Sequence, residues 1–225
     1  MVEIISLVCF LPNCAEKALQ RIMMNGYGSH SVLTLDLHDY LSTLVYMKDE
    51  QYFNEEQLTR LSDRLEKPQV MGIHDKEFIL PIIQHEFQQA EKHSPYSTPI
   101  VMMSNFPHLE EEAMLLKDWG NLAGIIELEF SEAEIMSLLE DVFSDYLATT
   151  DKVMTDHEKH EEHAFFMKHH KAEFENYWEM RQALYGMLEK EDVPIVKVPL
   201  LASDNYSNIH KKIVRRKKKF SQILN

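Results

Sequence analysis

Short apolar runs alternate with helix-patterned stretches along the chain, and this alternation constrains its fold more than any other feature. The strand-like runs are 2–9, 31–35 (SVLTL), 99–103 (PIVMM), 124–130 (GIIELEF) and 194–200 (PIVKVPL). The helix-patterned stretches are 14–24, 36–47, 55–65, 76–92, 109–119, one opened by Ser131, 157–189 and 205–224. Apolar strands separated by helices are typical of a parallel sheet covered on both faces. We therefore predict an α/β fold with a mostly parallel sheet of about five strands.

The expected place of function follows from this fold class. In open parallel sheets, ligands bind beyond the carboxyl ends of the strands, where the strand order reverses. Functional side chains are therefore expected just after Cys9, Leu35, Met103 and Phe130. The length of 225 residues fits one such domain.

The charge of the chain is unevenly distributed. The formal net charge is −14, although residues 211–219 read KKIVRRKKK. An acidic body argues against nucleic acid as the main ligand. Two interpretations of the basic segment stay open: it binds an acidic partner, nucleic acid or a membrane surface, or it is the solvated face of a terminal helix. Its basic residues are Lys211, Lys212, Arg215, Arg216, Lys217, Lys218 and Lys219.

Other features of the sequence indicate a cytoplasmic location. No apolar run approaches the roughly 20 residues that span a bilayer, so no membrane insertion is expected. The start, MVEIISLVCFLPNC, has no basic region before its apolar run and makes a poor signal peptide. Two cysteines, Cys9 and Cys14, are too few for a disulfide scaffold and are interpreted as free thiols of a reducing compartment.

Several segments, in order and spacing, resemble the adenylate kinase (nucleoside monophosphate kinase) family. In that family a buried strand precedes Asp-Gly-Phe-Pro-Arg and a helix carrying Gln-Ala. The corresponding stretch here, PIVMMSNFPHLEEEAMLL, has Ser104-Asn105-Phe106-Pro107-His108 and then Glu112-Ala113. TLDLHDYL and GIIELEFSEAEIMSLL are similar to further family segments. The resemblance implies one P-loop kinase-like domain over 1–225, with helical regions equivalent to the monophosphate-binding part at 36–95 and to the lid at 140–185.

The phosphate-binding loop departs from the family pattern. Phosphoryl transfer depends on positioning and on neutralising phosphate charge, which a P-loop achieves with glycines and one lysine. Here the lysine position aligns with Glu16, although Lys17 follows it, and the Mg²⁺-binding Ser/Thr becomes Ala18. Phe10 and Leu11 would crowd the loop. The degenerate loop positions are Pro12, Asn13, Cys14, Ala15, Glu16, Lys17 and Ala18, of which only the proline matches.

The monophosphate side departs from the pattern as well. The family's phosphate-binding arginines align with Asp39 and His108, and Arg181 is the only arginine between residue 65 and the basic tail. Reversing one charge 4 Å from a phosphate opposes binding by about 4 kcal/mol at an effective dielectric of 20. The degenerate positions on this side are Asp36, Asp39, Phe106, Pro107, His108 and Glu112.

The sequence therefore predicts a catalytically degenerate kinase-like domain that serves as a structural or protein-interaction module. No catalytic residue, metal site or cofactor is expected. Protein partners in a larger assembly are expected instead. Degenerate domains of this kind occur in ciliary and flagellar axonemes, which suggests a cilium as the setting. Two alternatives stay open. One is an active nucleoside monophosphate kinase using ATP and Mg²⁺, with Lys17, Lys168 or Lys171, and Arg181 on phosphate. The other is a nucleotide sensor.

A histidine-rich stretch has two interpretations. His157, His160 and His163 recur every three residues, and with Glu161 or Glu162 they form a set that suits Zn²⁺. The other interpretation is a solvated, charge-rich helix in the place of a lid, and it is the one we adopt.

Overall fold

The computed structural model describes residues 2–10, 32–66, 71–94, 98–150, 154–201, 203–204, 208–209 and 211–212. The strands are β1 (Val2–Cys9), β2 (Val32–Asp36), β3 (Ile100–Ser104), β4 (Gly120–Phe130) and β5 (Ile195–Leu200). The helices are α1 (Leu37–Met47), α2 (Glu55–Leu65), α3 (Lys76–His93), α4 (Glu110–Lys117), α5 (Glu132–Thr149) and α6 (Asp156–Lys190). A short 3₁₀ turn, Ile73–Asp75, precedes α3.

The five strands form one parallel sheet in the order β2-β3-β1-β4-β5. The predicted fold class, an α/β fold with a mostly parallel sheet of about five strands, is confirmed. The helix predicted at 14–24 lies outside the described residues. Of the helix predicted at 205–224, residues 208–209 and 211–212 are described, and they are helical.

Strand β4 begins at Gly120, four residues before the predicted start at residue 124. Its first residues, Gly-Asn-Leu-Ala, have turn-like composition, yet they pair with β1 from Val2 onward. A Cβ atom at Gly120 would lie 2.7 Å from the carbonyl oxygen of Val2. This close backbone approach explains why a glycine occupies a strand position at the sheet centre.

Two apolar layers enclose the sheet. On one face Ile4, Val8 and Met103 pack with helices α1 to α4 and the C-terminal part of α6. On the other face Ile5 and Leu7 pack with α5 and with Phe166 and Phe174 of α6. Because β1 is covered on both faces, its sequence is almost continuously apolar. None of the helices in the described ranges is long and apolar enough to cross a membrane.

Side-chain caps set the helix starts. The Ser131 hydroxyl accepts a hydrogen bond from the backbone N–H of Glu134, as its position before early acids predicts. Asn54 and Gln57 form a reciprocal capping box at α2, and Thr155 and Glu158 form one at α6. These caps fix the residue at which each of the three helices begins.

The connections of the sheet place a crevice at its centre. Strand β1 leads toward β2 on one side, whereas β3 leads toward β4 on the other. The strand order therefore reverses between the neighbours β1 and β3. In open parallel sheets this reversal opens a crevice at the carboxyl ends of the two strands, where ligands bind.

Candidate functional site

A cleft of about 490 Å³ opens at the carboxyl ends of β1 and β3. Cys9 and Phe10 line it from the end of β1, and His108 and Leu109 line it from the segment after β3. Its remaining walls are the C-terminal end of α2, residues 71–75, Glu112 of α4, and α6. This cleft, which we call the switch-point cleft, is where the fold predicts a site.

The loop after β3 is tied to the end of β1. Asn105 adopts a left-handed backbone with φ of 51°, and its side-chain oxygen accepts a hydrogen bond from the N–H of Cys9 at 3.3 Å. The hydroxyl of Ser6 donates to the carbonyl of Phe106 at 2.6 Å. Ser104 donates to Asp36, which caps α1. The structure thus brings the predicted residues Asp36, Phe106, Pro107 and His108 to one edge of the sheet.

The carboxylate of Glu112 joins two walls of the cleft. One oxygen accepts from the N–H groups of His108 at 2.6 Å and Leu109 at 3.3 Å, and the other accepts from Ile73 at 2.9 Å. Burial raises the pKa of Glu112, and these backbone hydrogen bonds and Arg181 oppose that rise. A Cβ atom at Gly72 would lie 2.5 Å from this carboxylate, so a larger residue there would make the Glu112 side chain shift. The backbone donors on both walls are therefore engaged by the protein itself.

Arg64 of α2 is held by Asp75 in the same cleft. Its Nε donates to one oxygen of Asp75 at 2.6 Å, and one of its Nη atoms donates to the other at 2.8 Å. Asp75 also accepts the N–H of Gly72 at 3.0 Å. Both side chains are largely buried, at 16% and 8% exposed. This two-pronged geometry is the one that arginine uses to bind phosphate, and here a carboxylate occupies it.

Arg181 of α6 is buried beside His108, which lines the cleft. One of its Nη atoms donates to the carbonyl of Pro107 at 2.7 Å, and the other donates to Nδ1 of His108 at 3.2 Å. Its guanidinium lies 5.1 Å from the ring centroid of Tyr177. Arg181 therefore supplies a cation beside His108, at the motif position where the family has an arginine, but protein acceptors engage it.

His108 is neutral in this environment. Burial, and secondarily the charge of Arg181, lowers the pKa of His108 from 6.5 to about 3. Because Nδ1 accepts from Arg181, the proton of the neutral ring is on Nε2. Among the described residues, this buried Nε2 atom has no hydrogen-bond partner. His108 is thus a poor general base at neutral pH.

Protonation of His108 is expected to lower stability in acid. A base whose pKa is depressed in the folded state contributes stability that is fully present above pH 6.5 and is lost as pH falls toward 3. The slope in this window is up to about 1.4 kcal/mol per pH unit. We expect His108→Gln to flatten it, measured as the change in the free energy of unfolding between about pH 7 and about pH 5. An unchanged acid slope in the variant would contradict this assignment.

Buried ionisable groups adjoin Arg181 from the sheet. Glu127 lies on β4, and burial raises its pKa, opposed by Tyr185, Arg181 and Lys197. Burial also raises the pKa of Tyr177 to about 12. Sequence reasoning missed Glu127, Arg64 and Asp75. Glu127 could have been identified from the sequence, because it is an acid at the centre of the apolar run GIIELEF. No sequence pattern pointed to the Arg64–Asp75 pair.

Several predicted positions lie elsewhere. Asp39 is exposed in the first turn of α1, where its N–H bonds to Asp36. Lys171 pairs with Glu132 at 3.3 Å, and Lys168 is exposed on α6. The predicted loop positions 12–18 and basic positions 215–219 lie outside the described residues. Lys211 is exposed, and Lys212 donates to the carbonyl of Pro199 at 3.2 Å and to Asp204.

Phe10 fills space at the end of β1, where a phosphate-binding loop would begin. Its ring packs edge-on against Phe174, with centroids 5.2 Å apart, and against Tyr177, at 5.3 Å. Phe10 therefore packs against α6, and the loop that it is predicted to crowd lies outside the described residues.

The histidine-rich stretch lies on α6 and faces carboxylates. His163 lies 2.7 Å from Glu140 of α5, and exposed His157 lies 3.7 Å from Glu161. Within the described ranges, no group of three or more His, Cys, Asp or Glu side chains is arranged to hold a metal ion. The first pair links α5 to α6, and the second lies on the surface of α6.

Among known proteins, the chain matches solved structures only. No protein-family model matches the chain, and no curated protein matches it significantly. It is similar to a sugar kinase from Janibacter sp. HTCC2649, with TM-score 0.42 and 5% identity over 99% of this chain and 98% of that one. It is also similar to shikimate kinases from Aquifex aeolicus and Bacteroides thetaiotaomicron, with TM-scores of 0.38 and 0.39 and identities of 12% and 10%. Each match covers 97% of this chain and 98% of that enzyme. Similarity at this level supports no inference about substrate.

Proposed function

We propose that this kinase-fold chain does not transfer phosphoryl groups and acts as a protein-interaction module. One observation carries the proposal, namely that the described groups best suited to bind phosphate here, the guanidinium groups of Arg64 and Arg181 and the N–H groups around Glu112, are bonded within the protein. The carboxylate of Glu112 accepts hydrogen bonds from three backbone N–H groups, and the carboxylate of Asp75 forms an ion pair with Arg64. Arg181 is bound to Pro107 and His108. A kinase needs such donors for phosphate.

Electrostatics opposes a phosphate in this cleft. Among the described residues, the carboxylates Glu112 and Asp75 balance the guanidinium groups of Arg64 and of Arg181, which lies beside His108, so no positive charge is in excess. A phosphate would have to displace Glu112 from its N–H donors. If the carboxylate stayed within 4 Å, the repulsion would cost about 4 kcal/mol per unit charge at an effective dielectric of 20.

The volume of the cleft supports a second candidate, a nucleotide sensor without catalysis. A cleft of about 490 Å³ is within the range of roughly 300–1,000 Å³ that small-molecule sites occupy. An adenine ring needs mainly apolar walls, which Phe10, Leu109 and Met180 offer. Binding without phosphoryl transfer would favour this candidate. The active-kinase alternative is weaker, because Lys171 and Arg181 have protein partners.

The setting of such a module is proposed from the family resemblance alone. A larger assembly, such as a ciliary or flagellar axoneme, would use the domain as a scaffold. Fold by itself does not give function, so localisation of the tagged chain in ciliated cells is the check on this part.

Thermal unfolding with nucleotides tests the proposal. We expect the melting temperature to stay unchanged in millimolar ATP, ADP and AMP with Mg²⁺, because a ligand that binds the native state must stabilise it. A single-turnover assay for transfer from ATP to a nucleoside monophosphate complements it. Transfer that Lys17→Ala abolishes would overturn the proposal.

A further inference from the structure

A second cavity, of about 690 Å³, lies at the carboxyl ends of β4 and β5. Helix α6 separates it from the switch-point cleft, since Tyr177 and Met180 line the cleft while Phe174 and Trp178 line this cavity. Its apolar part also includes Phe130 and Leu200. Phe174 and Trp178 are stacked, with centroids 6.3 Å apart and planes at 15°. We call it the aromatic cavity.

Carboxylates predominate among the charged residues at the aromatic cavity, although Lys171 pairs with Glu132 and Lys197 pairs with Glu129. Among the described residues that line it are five glutamates and no lysine or arginine. They are Glu129, Glu132, Glu134, Glu175 and Glu179. Glu175 and Glu179 are exposed one turn apart on α6, beside Trp178. A cationic ligand would therefore meet aromatic faces and carboxylates together.

A lysine of the chain already uses this chemistry at the edge of the aromatic cavity. The ammonium of Lys197 lies 5.0 Å from the ring centroid of Trp178 and 3.2 Å from a carboxylate oxygen of Glu129. An ammonium group over an indole face is attracted by the ring quadrupole. The contact with the Trp178 ring is a second observation beside the glutamates, and it shows which ligand charge this surface accepts.

We propose that the aromatic cavity docks a lysine- or arginine-rich segment of a partner protein. The inference rests on the proposed function as an interaction module and assigns that module a surface and a partner chemistry. The five carboxylates outnumber the two lysines that pair with them, so phosphates are repelled. Side-chain stems of lysine or arginine would cover the aromatic faces while their charged ends reach Glu175 and Glu179.

The test uses the full chain carrying Trp119→Phe, which leaves Trp178 as the single tryptophan. Oligolysine and oligoarginine peptides are titrated against its fluorescence at low and at physiological salt, with oligoglutamate as the control. We expect the basic peptides to change Trp178 emission and to bind more weakly as salt rises.

A charge-matched pair of variants makes the test specific. Glu175→Gln with Glu179→Gln should weaken binding by about 2- to 30-fold, the sum of two exposed ion pairs. Glu55→Gln with Glu56→Gln removes the same charge from exposed positions on α2 and should leave the affinity unchanged. All four substitutions lie on exposed helical positions, and a circular dichroism melt checks that each variant folds.

Three results would overturn the proposal. The first is no binding of either basic peptide, and the second is equal weakening by both pairs of variants, which would indicate only diffuse attraction to an acidic protein. The third is tighter peptide binding after Lys217, Lys218 and Lys219 are changed to Gln, which would make the chain's own basic segment the occupant. Failure here leaves the melting experiment with nucleotides untouched, so the two proposals fail separately.

Discussion

Replacing Glu112 with Ala is expected to lower the free energy of unfolding by about 3–5 kcal/mol. The substitution removes the acceptor of three backbone N–H groups, those of Ile73, His108 and Leu109. Each buried donor without a partner costs about 1–3 kcal/mol, and water entering the cleft recovers part of the total. The loss should also loosen residues 71–75 from α4, because Glu112 bridges these two walls.

Chemical denaturation of two further variants isolates this effect. Glu111→Ala removes an exposed carboxylate one residue earlier on α4 and should change stability by less than about 0.5 kcal/mol. Glu112→Gln keeps the shape but turns one acceptor into a donor facing N–H, so it should cost about 1–3 kcal/mol. A loss below about 1 kcal/mol for Glu112→Ala would mean that the bridge does not hold the cleft together.

Replacing Arg181 with Met is expected to cost about 3–5 kcal/mol, the usual result of removing one member of a buried charged network. The carbonyl of Pro107 and Nδ1 of His108 lose their donors. Buried Glu127 loses a charge that opposes the rise in its pKa. Arg181→Lys should cost less, because the charge stays while the fork geometry is lost.

The same denaturation measurement with Lys168→Met provides the control. Lys168 is an exposed cation on the same helix, and its loss should stay within about 0.5 kcal/mol. In Arg181→Met the pKa of His108 should also rise, since the Arg181 charge helps to lower it. Equal stability of Arg181→Met and Lys168→Met would show that the buried guanidinium does not organise the site.

The strands could be predicted because each is an apolar run bounded by polar or turn residues, a pattern that burial on both faces imposes. The start of β4 could not be predicted, because Gly120 and Asn121 have the composition of a turn. Only the close approach to Val2 makes the glycine part of a strand. The rule that ligands bind beyond the carboxyl ends of parallel strands correctly placed Phe106, Pro107 and His108 at that edge of the sheet.

Partners of the site residues were harder to predict than their positions. Arg181 stood out because arginine is scarce along the chain, yet the sequence did not reveal that it would bond to Pro107. Arg64 and Asp75 lie 11 residues apart, and no periodicity pairs residues across a turn between helices. Glu112 was recognised by alignment with a family glutamine, but its three N–H partners depend on how two loops meet in space.

Thermal unfolding with a bisubstrate analogue that spans both nucleotide subsites tests the central claim most directly. A ligand at 100 times its Kd adds about 2.7 kcal/mol to native stability, which corresponds to roughly 5 to 10 °C for a chain of this length. Because Arg64, Arg181 and the N–H groups around Glu112 are bonded within the protein, we predict no shift with the analogue, with or without Mg²⁺. A rise of several degrees that Arg181→Lys reduces would contradict the account and identify a working nucleotide site.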